Sequence, residues 1–527
     1  MNSSKSLLRH GAILSFLTLL SRITGLAREM TKAALLGTGA LSDAFSVAFL
    51  VPNLFRRLFA EGSVAVAFIP VFKSCLLDDD GDNAKARMFL RCFFTFLSFC
   101  VSMAVGVGIL AAPAIVRLFG NEAFDETVLL TRLMFPFLAF VSLAALFQGA
   151  LNSVHVFMPA GFAPVLLNLT TIACAWALKD SAGNPARAMA IGVLAGGFLE
   201  AAVQIPFIYK NGFSIAFTGL KRAFTNENTK AVVRLIGPTV IGMAAYQLND
   251  LVSSALARKA GVGVLSSLQY SLRLQELILG VFAVSIGTVL LPSLSEAAQK
   301  GDWKTYNKNL SVSINIISLI TIPVTFFSLV CGEDLIRILF QIKNFDESSV
   351  NLTLTAFRFH IAGVFFIAVN RVLAPAFYAC RDTKSPAAAG IVSFAINISA
   401  AALLVKPMRG GGIALALSLA GAVNMAALLL MLRKKHAAGV AGKKFILSSF
   451  GYMLKTAALS AFAVLPVFIG RFALAPQFAG SRATRAASCV GFALVFAAVL
   501  LTLLILTRDP CLAVIASKLK KNKSQAV

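Results

Sequence analysis

The sequence predicts an all-α polytopic membrane protein with about fourteen transmembrane helices. Three observations predict it. The chain is 58% hydrophobic and only 13% charged, with a mean hydropathy of +0.82, far from the balance of soluble domains. Apolar runs of about 20 residues, each enough to cross ~30 Å of hydrocarbon, recur along its whole length. Lysine and arginine gather in some connections and avoid others, as they do around membrane spans.

Taken in order, the first apolar run, Gly11 to Leu20, follows Lys5 and Arg9 as a signal peptide would. No small-residue cleavage site closes it, and it continues through Arg22, so it reads as a retained first span. The spans fall near 8–36, 43–74, 87–119, 127–153, 158–178, 185–209, 231–257, 265–295, 310–340, 350–380, 386–405, 411–432, 446–470 and 485–507. Several exceed 25 residues, which implies tilt or extension beyond the hydrocarbon. An even number puts both termini on one side. Lys210, Lys221, Arg222 and Lys230, then Arg433 to Lys444, then Lys518 to Lys523 all fall on that side. Glu122, Asp125, Glu126, Asp346 and Glu347 fall on the other. The positive-inside rule therefore predicts cytoplasmic termini.

The same bias accounts for much of the net charge of +25, together with contact with anionic headgroups. No basic stretch interleaved with aromatics argues for a nucleic-acid partner. The eight cysteines form no CxxC and read as small apolar residues. The four histidines offer no i,i+4 metal pair, and His360, inside a span, reads as a satisfied core residue. Walker A, GxSxG and HExxH sequences are absent, and no segment is large enough for a soluble nucleotide domain, so an enzyme is not expected.

The stretch Ser21 to Phe72 breaks the apolar pattern. Arg22, Arg28, Asp43, Arg56, Arg57 and Glu61 lie where a bilayer centre charges ~2.5–3.5 kcal/mol for an arginine, so they face a partner or a wet space. At about 100° per residue, Asp43, Ser46, Arg57 and Glu61 share one stripe of the second helix, and Ser21, Arg28 and Lys32 share one of the first. Gly37-Thr-Gly39 is the turn between them. Two readings stand. The charges pair and lock the helices, or they line a cationic cavity. Four arginines and a lysine exceed the three acids Glu29, Asp43 and Glu61, and that surplus favours a cavity holding an anion.

A weak internal repeat is also visible. Residues Ser63 to Phe72 align with Ser285 to Leu294 at an offset of 222, and Ala150 to Pro159 align with Ala376 to Pro386. A six-helix unit used twice is a transporter device, with the substrate between the halves. It divides the chain into an N-lobe at 1–210 (spans one to six) and a C-lobe at 211–435 (spans seven to twelve), followed by spans thirteen and fourteen with a basic tail at 436–527. Span eight then pairs with span two. It carries Gln269, Arg273 and Glu276, the last two on one face at i,i+3.

SRITGLARE, SDAF and PNLFRRLFAEGSVAVAFIPVF in this hairpin resemble the signature of the lipid II flippase family, MurJ (also called MviN). GPTVIG at 237–242, GTVLLPSLSEA at 287–297 and VLAPAFYACRDTKSP at 372–386 extend the resemblance through nearly the whole chain. It implies a bacterial inner-membrane flippase that moves undecaprenyl-diphosphate-linked disaccharide-pentapeptide to the outer leaflet by alternating access. Lipid II and membrane lipids are then the partners, with cell-wall synthesis proteins a further class, and no cofactor. The implied substrate-binding residues are Arg22, Arg28, Asp43, Arg56 and Arg273, to which position adds Arg57, next to Arg56, and Glu276, on the face of Arg273. The chemistry agrees, because guanidinium forks hold phosphate oxygens two at a time and stay charged.

Spans thirteen and fourteen carry small residues (Ala457, Ala458, Ala461, Ala463, Ala487, Ala493, Ala497, Ala498), which read as close packing. The resemblance implies instead a groove suited to the polyprenyl tail. Asn249, Asp250, Asn397 and Asn424 are weak candidates for a cation site. Where sodium-binding family members are expected to carry an acid, this chain has Ala401. Rival readings are an O-antigen-type flippase, which shares the physics, a cation-coupled multidrug exporter, which calls for an acidic cavity, and a membrane scaffold, which needs no charged cavity.

Overall fold

Apolar runs of this length can satisfy every backbone amide within the bilayer as helices, and helices are what the chain forms. A computed structural model describes residues 2–58, 64–78, 83–120, 122–435, 442–478 and 481–512, and no strand occurs among them. The helices are α1 (Asn2–Leu36), α2 (Ala40–Leu58), α3 (Val64–Leu77), α4 (Ala84–Arg117), α5 (Phe124–Met134), α6 (Phe137–Ser153), α7 (Met158–Leu178), α8 (Pro185–Ala202) and α9 (Ile205–Lys210). There follow α10 (Leu220–Thr225), α11 (Glu227–Lys259), α12 (Val264–Gln299), α13 (Trp303–Phe340), α14 (Glu347–Ala379), α15 (Lys384–Lys435), α16 (Lys443–Phe478) and α17 (Arg482–Leu506). Among the described residues nine helical stretches are long and apolar enough to span a bilayer. The chain is an all-α polytopic membrane protein.

Three expected spans are built in pieces. The second is α2 and α3, on either side of residues 59–63, which with Glu61 lie outside the described residues. The fourth is α5 and α6, parted at Pro136, which cannot donate an amide into a continuous helix. The sixth is α8 and α9, parted ahead of Pro206. Conversely, spans eleven and twelve run together as α15, broken only where Arg409 turns to φ 46° and ψ −125°.

Helices α1 to α11, with the segment Ile342–Phe345, form one compact unit; α13 to α17 belong to a second, and the division falls at Ser266 in the first turn of α12. Lipid tails are as apolar as leucine, so these units are held by close packing and polar contacts more than by expulsion from water. In the first unit Phe68 stacks on Phe72 and Phe89 at 5.1 and 5.2 Å. A seam of glycines lets α8 lie against its neighbours. A Cβ on Gly196 would stand 3.0 Å from the Leu167 carbonyl oxygen of α7, and one on Gly192 would stand 2.8 Å from the Thr171 Cα. The open carbonyls ending α1 are also answered, since the Asn344 side chain donates to Leu35 O at 2.7 Å and its backbone amide to Ala34 O at 3.2 Å.

In the second unit Tyr306 of α13 donates to Ala376 O of α14 at 2.7 Å. His360 is a core residue, as expected: its Nδ1 lies 2.7 Å from Ser271 Oγ, and its carbonyl accepts from Gln275 at 2.8 Å. Helices α16 and α17 pack on α13 through Val464, Val467, Cys489 and Phe496. Of the eight alanines singled out there, only Ala463 is buried, so larger side chains make this contact. Asp509 ties the far end of α17 to α16, accepting from Tyr452 and Lys455 at 3.0 Å each.

Candidate functional site

Helices α1 and α2 form an antiparallel hairpin whose polar stripes meet. Lys32 of α1, 3% exposed, donates to Ser46 Oγ of α2 at 2.7 Å, and Ser46 in turn donates to Ser42 O. Lys32 also lies 5.8 Å from the centre of the Phe45 ring, and the Arg28 guanidinium lies 5.7 Å from that of Phe49. These contacts pin the hairpin near its turn. At 1.5 Å per residue Arg22 lies about 9 Å further along α1 from Arg28, and Arg56 lies in the last turn of α2. The two arms thus carry Arg22 and Arg28 on one side and Arg56 on the other.

The partners of these cations differ. Arg28 bonds Glu29, its chain neighbour, at 3.0 Å. The Arg56 Nε donates to Asn53 Oδ1 one turn back, at 2.8 Å. Arg57 points elsewhere, reaching Asp250 of α11 at 3.4 Å. The two arginines diverge as the 100° step between consecutive residues requires. Arg22 is half-buried, and its neighbours Ser21 O and Thr24 Oγ1 accept from the Asn168 amide of α7 at 3.3 and 3.2 Å.

Asp43 neutralises none of the hairpin arginines. It is fully buried, and its carboxylate is occupied by another part of the chain. Oδ2 accepts from Arg258 Nη1 at 3.1 Å and from the Gly263 amide at 2.8 Å, and Oδ1 accepts from the Ser266 amide at 2.9 Å. It caps the start of α12 from a helix 220 residues away in sequence, meeting the orphan amides and positive dipole end of that helix. Arg258, 2% exposed, also donates to Glu122 O. Gly263 is required here. Its φ is +80°, and a Cβ would meet the Thr38 carbonyl oxygen at 2.2 Å. Sequence reasoning placed Asp43 on the polar stripe but missed Arg258, which reads as an ordinary basic residue ending a span.

In the second unit Arg273 of α12 bonds Glu276 at 3.3 Å as the i,i+3 spacing predicts, and its buried Nε has no hydrogen-bond partner. Of the cation candidates, Asp250 is engaged by Arg57. Asn397 is buried, and Asn424 keeps an unpartnered buried Oδ1. No group of three histidine, cysteine or acidic side chains suited to a metal ion occurs among the described residues.

A many-helix membrane fold with guanidinium groups set on its spanning helices defines a polytopic transporter. The chain belongs to the lipid II flippase family MurJ, whose sequence pattern matches residues 32–521. It is 43% identical over 516 residues to a probable lipid II flippase MurJ of Treponema pallidum (strain Nichols), covering 97% of each chain. To a lipid II flippase MurJ of Burkholderia cenocepacia it is 32% identical over 426 residues, covering 79% of this chain and 82% of the other. Its fold is similar to that of a lipid II flippase MurJ in an inward closed conformation, with TM-score 0.77, 23% identity, and coverage of 94% of this chain and 99% of that one. A multidrug resistance MATE family transporter of the MOP superfamily is more distant, with TM-score 0.62, 13% identity, and coverage of 84% of this chain and 98% of that one.

Proposed function

We propose that this chain translocates lipid II, the undecaprenyl-diphosphate-linked disaccharide-pentapeptide, from the cytoplasmic to the periplasmic leaflet of a bacterial inner membrane. In this reading both termini are cytoplasmic, the lobes are 1–210 and 211–435, and residues 436–527 add two spans and a basic tail. Alternating access through a cationic cavity removes the barrier that hydrocarbon sets against a headgroup with about two negative charges. Arg22, Arg28 and Arg56 receive the diphosphate and neighbouring sugar oxygens, and Arg273 and Glu276 are the substrate-binding residues of the second unit. Asp43 and Arg57 act one step back, Asp43 holding the hairpin to the start of α12 and Arg57 answering Asp250. Transport rather than covalent chemistry is the whole task. Cell-wall synthesis proteins are partners consistent with it.

The observation that carries this reading is the fate of Asp43. Its carboxylate is taken up by Arg258 and two backbone amides, so Asp43 is not the counter-ion of Arg22, Arg28 or Arg56. The test is complementation of a strain depleted of its own lipid II flippase, at matched expression. Arg28→Ala and Arg273→Ala should each abolish growth, and Arg28→Lys should be impaired because it keeps the charge but loses the two-pronged geometry. Wild-type growth with both alanine substitutions together overturns the assignment.

A further inference from the structure

Apart from the guanidinium hairpin, the second unit holds a cavity of about 500 Å³ where the end of α13, the start of α14, the last turns of α16 and the first turns of α17 converge. That volume lies within the ~300–1,000 Å³ typical of small-molecule sites. Its lining combines three arginines, three acids and three phenylalanines, an unusual mixture beside a lipid-facing surface. Two of the arginines are committed. Arg337 forks onto Glu347 at 2.5 and 2.7 Å and donates to Glu333 at 3.0 Å. Arg471 donates to Asp334 at 2.6 Å and to Glu333 at 3.0 Å. The guanidinium of the third, Arg485, lines the same cavity, makes no hydrogen bond among the described residues and acts on the Glu347 carboxylate only through its charge. Glu347, for its part, leaves 64% of its side chain exposed. Outside the mouth, α16 and α17 present apolar side chains, with Phe472 83%, Ile469 64%, Val490 60% and Leu494 66% exposed.

We propose that this cavity binds the headgroup of a phosphatidylethanolamine-type phospholipid, with its acyl chains lying along the exposed faces of α16 and α17. The lining fits that chemistry in three ways. Arg485 has its donors open for a phosphodiester, the group guanidinium matches best. Three arginines against three carboxylates make the lining formally neutral, so a zwitterion leaves no charge uncompensated, whereas a purely anionic or cationic ligand does. A primary ammonium brings hydrogen-bond donors to the exposed Glu347 carboxylate, which a trimethylammonium group lacks. The site also lies at the ends of two spans, at the level where headgroups meet hydrocarbon.

Native mass spectrometry of the purified full-length protein, with phosphatidylethanolamine, phosphatidylglycerol and phosphatidylcholine of matched chains, tests this. The wild type should retain the ethanolamine lipid over the other two, and Arg485→Ala should lower its retention roughly tenfold, the scale of one lost charge-assisted hydrogen bond. Arg485→Lys should fall between them. Glu347→Gln should remove the preference for ethanolamine over glycerol headgroups. The unfolding temperature of each variant shows that it is folded, and should Arg485→Ala fail that check, Arg485→Lys and Glu347→Gln carry the comparison. A diazirine-bearing phosphatidylethanolamine should label peptides from α16 and α17. Equal retention by wild type and Arg485 variants, equal retention of the three lipids, or labelling only of other helices overturns the proposal.

Discussion

Replacing Asp43 by alanine separates a structural carboxylate from a substrate ligand. The substitution leaves Arg258 buried without its closest counter-charge, since Glu122 stands further off at 3.7 Å. It also strips the Gly263 and Ser266 amides of their acceptor. Breaking one side of a buried ion pair costs about 3–5 kcal/mol, and an unsatisfied amide adds about 1–3 kcal/mol where water cannot reach it. In a chain of 527 residues each kcal/mol moves the midpoint by about 1–2 °C, so unfolding of the purified protein should move down by at least ~3 °C. Removing both charges as Asp43→Ala with Arg258→Met should recover part of that loss, because no ion is then stranded, while the amides stay unpaired. The measurement is a thermal unfolding curve in detergent beside complementation at matched expression. An unshifted unfolding temperature with lost function would refute the reasoning and return Asp43 to the substrate-binding set.

Three further outcomes follow from named contacts. Gly263→Ala should destabilise by about 2–5 kcal/mol, combining left-handed strain with overpacking against Thr38, and is read in the same unfolding assay. The Ser349 amide, donated to the Asp346 carboxylate at 2.9 Å, holds that carboxyl below its usual range at the start of α14. Its contribution is therefore present above the ordinary carboxylate pKa near 4 and fades as pH falls below it; Asp346→Ala should cost about 1 kcal/mol at pH 7 and flatten that acid limb. In a background free of native cysteines, an impermeant thiol reagent applied from outside should label a cysteine placed at Asn121 and spare those at Lys221 and Lys521, and the reverse pattern would invert the orientation.

Much of this architecture was legible in the sequence because bilayer chemistry writes it in large letters: a span needs about 20 apolar residues, and the chain supplies them in order. The breaks at Pro136 and ahead of Pro206 were visible as prolines, though not as helix ends. The charged hairpin was legible because intramembrane arginines are conspicuous. Partners were not. Nothing local tells Asp43 that its cation is Arg258 and its amides belong to Gly263 and Ser266, more than 200 residues on. The Arg337–Glu347 fork and the Asn344 bonds to the end of α1 were hidden for the same reason, since periodicity fixes which face a side chain takes but not what meets that face.

The glycine seam between α7 and α8 has a mechanical consequence. Two helices whose backbones touch at Gly192 and Gly196 have no cushion of flexible side chains to shear through, and a sliding step would drive Leu167 and Thr171 into the opposing main chain. Such a pair transmits force without yielding, like a stiff spar. The α5–α6 break at Pro136 offers a joint in the same unit, and Pro52 inside α2 removes one backbone hydrogen bond from the helix just ahead of Arg56 and Arg57.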